Sequence, residues 1–132
     1  MGTIRYLLDT HTFLWAVRGS SKLSSTAAKT IEDMTKQVFI SAVSAYEIMN
    51  KFRIGKLPEF EDVANNYFNF VKMLDVVSLP ISERHSHFAG EFEWEHRDPF
   101  DRLLAAQAYT ENLSLITNDP AFNTLPWVST IW

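Results

Sequence analysis

Residues 37–53, QVFISAVSAYEIMNKFR, change character at one point. Gln37 to Ser41 is a short run rich in β-branched and aromatic residues, the composition of a strand. Ala42 to Arg53 holds neither Gly nor Pro and is closed by Gly55, the pattern of a helix with its stop signal. A strand that passes directly into a helix needs a crossover before the next strand, so its sheet neighbours are expected to be parallel. The flanking sequence repeats the pattern. Ile4 to Leu8 (IRYLL) reads as a strand, and polar Asp9-Thr10-His11-Thr12 leads into the apolar-rich segment Phe13 to Val17, broken by Gly19-Ser20-Ser21. A helix is expected from Ser24-Ser25-Thr26 to about Lys36.

Downstream, Val63, Tyr67, Phe70, Val71 and Leu74 recur at helical spacing, predicting one long helix over Glu61 to Leu74. Asp75 to Leu79 is a strand closed by Pro80, Ser82 to Phe92 a helix, and Asp98-Pro99 opens a helix to about Asn112. Leu113 to Thr117 (LSLIT) and Trp127 to Ile131 (WVSTI) complete five short strands. Strands alternating with helices imply a mostly parallel five-stranded sheet covered on both faces, a three-layer α/β/α fold in a single domain over 1–132.

Composition narrows the class. A chain of 132 residues with 46% hydrophobic and 21% charged residues has enough apolar material for a core, which excludes a disordered or fibrous protein. With no cysteine, disulfides and thiolate metal sites are excluded. The opening MGTIRYLLDT is interrupted by Arg5 and closed by Asp9, unlike a signal peptide or membrane span, so a soluble, cytoplasmic protein is expected. The net charge of −4 disfavours nonspecific binding of nucleic acid through counterion release. That acidity is concentrated: setting aside Asp9, Glu47, Asp98, Asp101 and Asp119 leaves 12 basic residues against 11 acidic.

Those five acids fall where ligands gather in open parallel sheets, beyond the carboxyl ends of the strands. Asp9 follows the first strand, Glu47 lies two turns into the helix after the second, and Asp119 lies just past LSLIT. Asp98 and Asp101 begin the helix feeding that last strand. Each has an ordinary alternative: Asp9, Asp98 and Asp119 as caps, Asp101 as a first-turn acid, and Glu47 as the i,i+4 partner of Lys51. Asp101 shares a stripe with Leu104, Ala105 and Ala108 and should face the core edge, while Asp98 is the better cap.

Converged carboxylates repel; two unit charges 4 Å apart do so by about 4 kcal/mol at an effective dielectric near 20. Oxygen-only ligands select a hard divalent ion, Mg²⁺ or Mn²⁺, and such a site suits phosphodiester hydrolysis by a metal-activated water. Competing motifs are missing. The four glycines are scattered, with no phosphate loop or nucleophile elbow. His11 stands where the phosphatase pattern DxDxT needs its second Asp, and His85 and His87 do not share a helical face as zinc ligands would.

LLDTHTFLW, SAVSAYEIMNKFRIGKL, LPIS, HRDPFDRLLAAQA and LITNDPAF occur in the order found in PIN-domain ribonucleases, and the chain most resembles the VapC toxins of type II toxin–antitoxin pairs from Ile4 to Trp132. The resemblance implies that Asp9, Glu47, Asp101 and Asp119 are the metal-binding and catalytic acids, with Thr117 and Asp98 as additional members. It implies Mg²⁺- or Mn²⁺-dependent cleavage of RNA leaving a 5′-phosphate, a homodimer, and a cognate antitoxin whose C-terminal segment covers the active-site groove. Asn50, where small apolar residues are common, and the acids Glu91, Glu93 and Glu95 before the site depart from the pattern. Arg97, Arg102, Lys51, His11 and His96 are candidate RNA contacts. Two alternatives stay open: an RNA-processing PIN nuclease without an antitoxin, and a non-catalytic binding module.

Overall fold

The structure, a computed structural model, describes residues 4–132. Its sheet has five strands, β1 (Arg5–Leu8), β2 (Gln37–Ser41), β3 (Val77–Leu79), β4 (Ser114–Ile116) and β5 (Thr130–Ile131), in the order β3-β2-β1-β4-β5. Every pairing is parallel, so the sheet is wholly rather than mostly so. The helices are α1 (Thr10–Arg18), α2 (Ser25–Glu32), α3 (Ala42–Arg53), α4 (Glu61–Asn65), α5 (Tyr67–Leu74), α6 (Glu83–Glu91) and α7 (Pro99–Thr110).

Strand alternation divides the core in two. Tyr6 and Leu8, Val38 and Ile40, and Ile116 face one side with Phe13, Leu14, Val63 and Val71 from the helices between β1 and β3. Leu7 and Leu115 face the other, with Leu104, Ala105 and Ala108 of α7 and Phe122. Nearly all of these side chains are sealed from solvent, and this gives the three layers. The chain order makes the middle of the sheet decisive. Successive strands run outward from β1 to β2 to β3, and the chain then crosses to the far side for β4. The crevice between the ends of β1 and β4 is therefore a topological switch point.

Local signals explain the element ends. Ser41 caps α3 with its side chain on the Val43 N–H, and Gly55 at φ 84° follows the helix end. Asp98 caps α7 by accepting from the Phe100 N–H at 2.9 Å, ahead of Pro99 at the first helical position. Ser82 and His85 form a reciprocal cap on α6. Two expectations are corrected. The helix after Ser24 stops at Glu32, because the Asp33 side chain takes both the backbone N–H and the hydroxyl of Thr35 in a turn. The single helix over Glu61 to Leu74 is two, broken at Asn66 (φ −131°, ψ 36°), whose side-chain amide donates to the Asp62 carbonyl. No helix among the described residues is long and apolar enough to cross a membrane; Met1 to Thr3 of the opening stretch lie outside them.

Candidate active site

The register of the central strands brings the first acids together. Leu8 lies opposite both Ile40 of β2 and Ile116 of β4, so Asp9 emerges beside the end of β4. The Asp9 N–H donates to the Ile116 carbonyl at 3.1 Å, and the Thr12 hydroxyl donates to the same oxygen at 2.7 Å, fixing the start of α1 there. Asp9 occupies the cap position of α1 but makes no capping bond with its side chain. Its carboxylate instead accepts from the Thr117 hydroxyl at 2.7 Å. Thr117 Oγ1 in turn accepts from the Asp119 N–H at 3.0 Å, so one buried hydroxyl spaces the two acids beyond β1 and β4. The Asp119 carboxylate caps the following 3₁₀ turn on the Ala121 N–H. It borders a cleft of about 380 Å³ that Asp9, His11, Trp15 and Asn118 also line.

Glu47 is carried inward by α3 and is only 4% exposed. One oxygen accepts from the Lys51 ammonium at 2.5 Å, while the other, Oε1, is buried and has no hydrogen-bond partner. Burial pulls the Lys51 pKa down, but the Glu47 hydrogen bond and charge, with help from Asp98 and Asp101, carry it above the ordinary lysine value. Asp101, in the first turn of α7, is 9% exposed and meets His96 Nε2 at 2.6 Å. Burial raises its pKa to about 7; the charges of Asp9 and Asp98 push the same way and His96 opposes them. Burial also raises the pKa of Asp9, against the Thr117 hydrogen bond and the nearby His11, with Glu47 adding to the rise.

The charge of Glu47 thus reaches Asp9, and those of Asp9 and Asp98 reach Asp101, while Asp119 is tied to Asp9 through its backbone N–H on the Thr117 hydroxyl. These residues fit a divalent cation. Most donors are carboxylate oxygens, the net charge is negative, and Glu47 Oε1 is a buried acceptor with nothing to accept from. Among the described residues, His96, Asp98 and Asp101 are the group that already presents three donor atoms within 4.8 Å of one another; Asp9, Glu47 and Asp119 are the neighbouring carboxylates that could join Asp101 on such an ion.

The candidate RNA contacts separate. His11 is exposed at the cleft edge and Arg97 is exposed on the loop before α7. Lys51 faces the acids through Glu47. Arg102 is engaged within the fold: its guanidinium donates to the Ala89 and Phe92 carbonyls and lies 4.3 Å from the centre of the Phe92 ring, holding the end of α6 onto α7. Trp15 and Asn118 escaped the sequence reading. The i,i+4 spacing of His11 and Trp15 was a usable signal, because it puts both on one face, where their rings lie 5.8 Å apart.

The family model for the PIN domain matches residues 6–128. The chain belongs to the PIN domain family. Solved structures show the same fold at low identity. This PIN domain superposes on a chain of VapBC2 from Rickettsia felis, bound to a DNA fragment from their promoter, with TM-score 0.71 and 20% identity over 97% of this chain and 98% of that one. It matches DNA-bound VapBC from Salmonella typhimurium with TM-score 0.69 and 15% identity over 98% of both chains. VapBC-5 from Mycobacterium tuberculosis, a member of the VapBC family of toxin–antitoxin systems, gives 0.59 and 17% over 96% of this chain and 97% of that one. No curated protein matches the chain significantly.

Proposed function

We propose that this PIN domain is a metal-dependent endoribonuclease and the toxin of a toxin–antitoxin pair. The observation that carries the reading is the set of acids around the β1/β4 switch point, with one buried carboxylate oxygen of Glu47 unpartnered, in a PIN-family chain. Asp9, Glu47, Asp101 and Asp119 would hold Mg²⁺ or Mn²⁺. When bound, the ion supplies charge stabilisation at the phosphoryl group and a water acidified for attack on the phosphodiester.

The chain's own residues do the rest. Thr117 orients the Asp9 carboxylate and, by donating to it, favours its ionised form. Lys51 holds one Glu47 oxygen and leaves the other free for a cation. His11 and Arg97 are exposed near the acids and are suited to RNA phosphates. Glu93 and Glu95, exposed beside His96, repel phosphate backbones there, which favours entry along the cleft bordered by Trp15.

The toxin reading draws on fold neighbours that are themselves toxin–antitoxin complexes, such as one from Klebsiella pneumoniae matched at TM-score 0.67. An antitoxin covering the groove, a homodimer and a cytoplasmic location follow from this reading. The test is incubation of antitoxin-free protein with total bacterial RNA in Mg²⁺ or Mn²⁺, then with chelator. Discrete fragments bearing 5′-phosphates, lost on chelation, are expected. Equal cleavage in chelator would overturn the metal-dependent reading.

A further inference from the structure

Among the described residues, His96 is the side chain that hydrogen-bonds to the Asp101 carboxylate. It lies on the loop into α7, and its Nε2 is 2.6 Å from Asp101 Oδ2. One donor atom from each of His96, Asp98 and Asp101 can be chosen so that all three lie within 4.8 Å of one another. The imidazole is braced from behind. Trp94 packs edge-on against it at 4.8 Å between ring centres, and the Trp94 indole N–H is tied to the Thr124 hydroxyl at 2.7 Å. Asp98 uses one oxygen for its helix cap.

We propose that His96 is a direct nitrogen ligand of the divalent ion, beside Asp98 and Asp101, and that it biases the centre toward first-row transition ions over Mg²⁺. The inference rests on the metal centre proposed above and adds a residue which that reading does not use. Donors on adjacent corners of an octahedral ion at 2.0–2.1 Å lie about 3 Å apart, and those on opposite corners about 4.2 Å. The His96–Asp101 pair, at 2.6 Å, need open by only a few tenths of an ångström to occupy adjacent corners of such a sphere, and the three donor atoms lie within 4.8 Å of one another. A second sign of a cation among these acids is Glu47 Oε1, buried on α3 without a partner; the Glu47 charge reaches Asp9, whose charge in turn reaches Asp101. Imidazole nitrogen is a ligand for transition ions, whereas Mg²⁺ prefers oxygen and retains its waters. A nitrogen donor therefore separates the two classes of ion where carboxylates alone do not.

A hydrogen-bonding role for His96 without metal contact makes a different prediction, which spectroscopy distinguishes. Mn²⁺ added to the full chain is read by electron spin-echo envelope modulation, which detects directly bound imidazole ¹⁴N. The wild type and His11→Asn should show that coupling, and His96→Asn should lose it. His96→Asn should also weaken Mn²⁺ binding by about tenfold or more while leaving Mg²⁺ affinity near wild type. Mn²⁺ bound to the wild type without ¹⁴N coupling, or coupling that persists in His96→Asn, would overturn the assignment and leave the carboxylate centre standing. A wild type that binds no Mn²⁺ would overturn both readings. The wild-type spectrum decides the first question even if a variant folds poorly.

Discussion

Replacing Asp101 by Asn isolates what it costs this fold to hold an ionised carboxylate at the start of α7. Asp101 is 9% exposed, and its pKa rises from 3.8 to about 7, first through burial and then through the charges of Asp9 and Asp98. A folded-state value above the unfolded one means that the group's contribution to stability is fully present below about pH 4 and is lost as pH rises through about 7. A shift of about three pKa units at 1.36 kcal/mol each amounts to about 4 kcal/mol. Asn cannot titrate, while His96, Asp9, Asp98 and Lys51 remain in both proteins. In metal-free buffer, the stability of wild type relative to Asp101→Asn should therefore fall by about 4 kcal/mol between about pH 4 and about pH 8. Urea denaturation of both proteins across that range measures the difference directly. Parallel profiles, or a difference that grows in favour of wild type as pH rises, would refute the reasoning. Adding Mn²⁺ at about 100 times its Kd should return about 2.7 kcal/mol to the wild type and far less to the variant.

Three further outcomes follow from contacts in the site. Lys51→Met strands the buried Glu47 without its ion-pair partner and should destabilise the metal-free protein by about 3 kcal/mol, with a larger metal-induced rise in melting temperature than the wild type shows. Thr117→Val removes the hydroxyl between Asp9 and Asp119 and makes Asp9 harder to ionise; Mn²⁺ affinity measured by calorimetry should fall about tenfold, with Thr117→Ser retaining most of it. Arg102→Met loses two carbonyl contacts and its packing on Phe92; thermal unfolding should report a loss of about 2 kcal/mol, with metal affinity unchanged.

The parts of the fold that were legible in the sequence are those fixed by local chemistry. Gln37–Ser41 and Ala42–Arg53 agree at both ends because a serine cap, a β-rich run and a following glycine act within a few residues. The kink at Asn66 was hidden, because the apolar spacing of Val63, Tyr67, Phe70, Val71 and Leu74 is the same on either side of the break. The stop at Glu32 had a signal, Asp33 two residues before Thr35, that the helical reading ran past. In the candidate site, the sequence placed Asp9 just beyond the first strand, where the structure has it bonded to the end of β4, and the stripe through Leu104 pointed Asp101 at the core edge, where the structure has it buried. The Thr117 bridge and the His96–Asp101 contact depend on how β1, β4 and the loop before α7 meet in space, which spacing along the chain does not encode. The contacts of Arg102 with the Ala89 and Phe92 carbonyls join α7 to the end of α6, which spacing along the chain does not encode either.

Cleavage of one RNA preparation by wild type and Asp101→Asn, each first shown to be folded, tests the central claim most directly. The account predicts metal-dependent fragments with 5′-phosphate ends from the wild type and a loss of at least about a hundredfold in rate from the variant, the scale expected when a group that positions catalytic charge is removed. Cleavage by Asp101→Asn at the wild-type rate would contradict it.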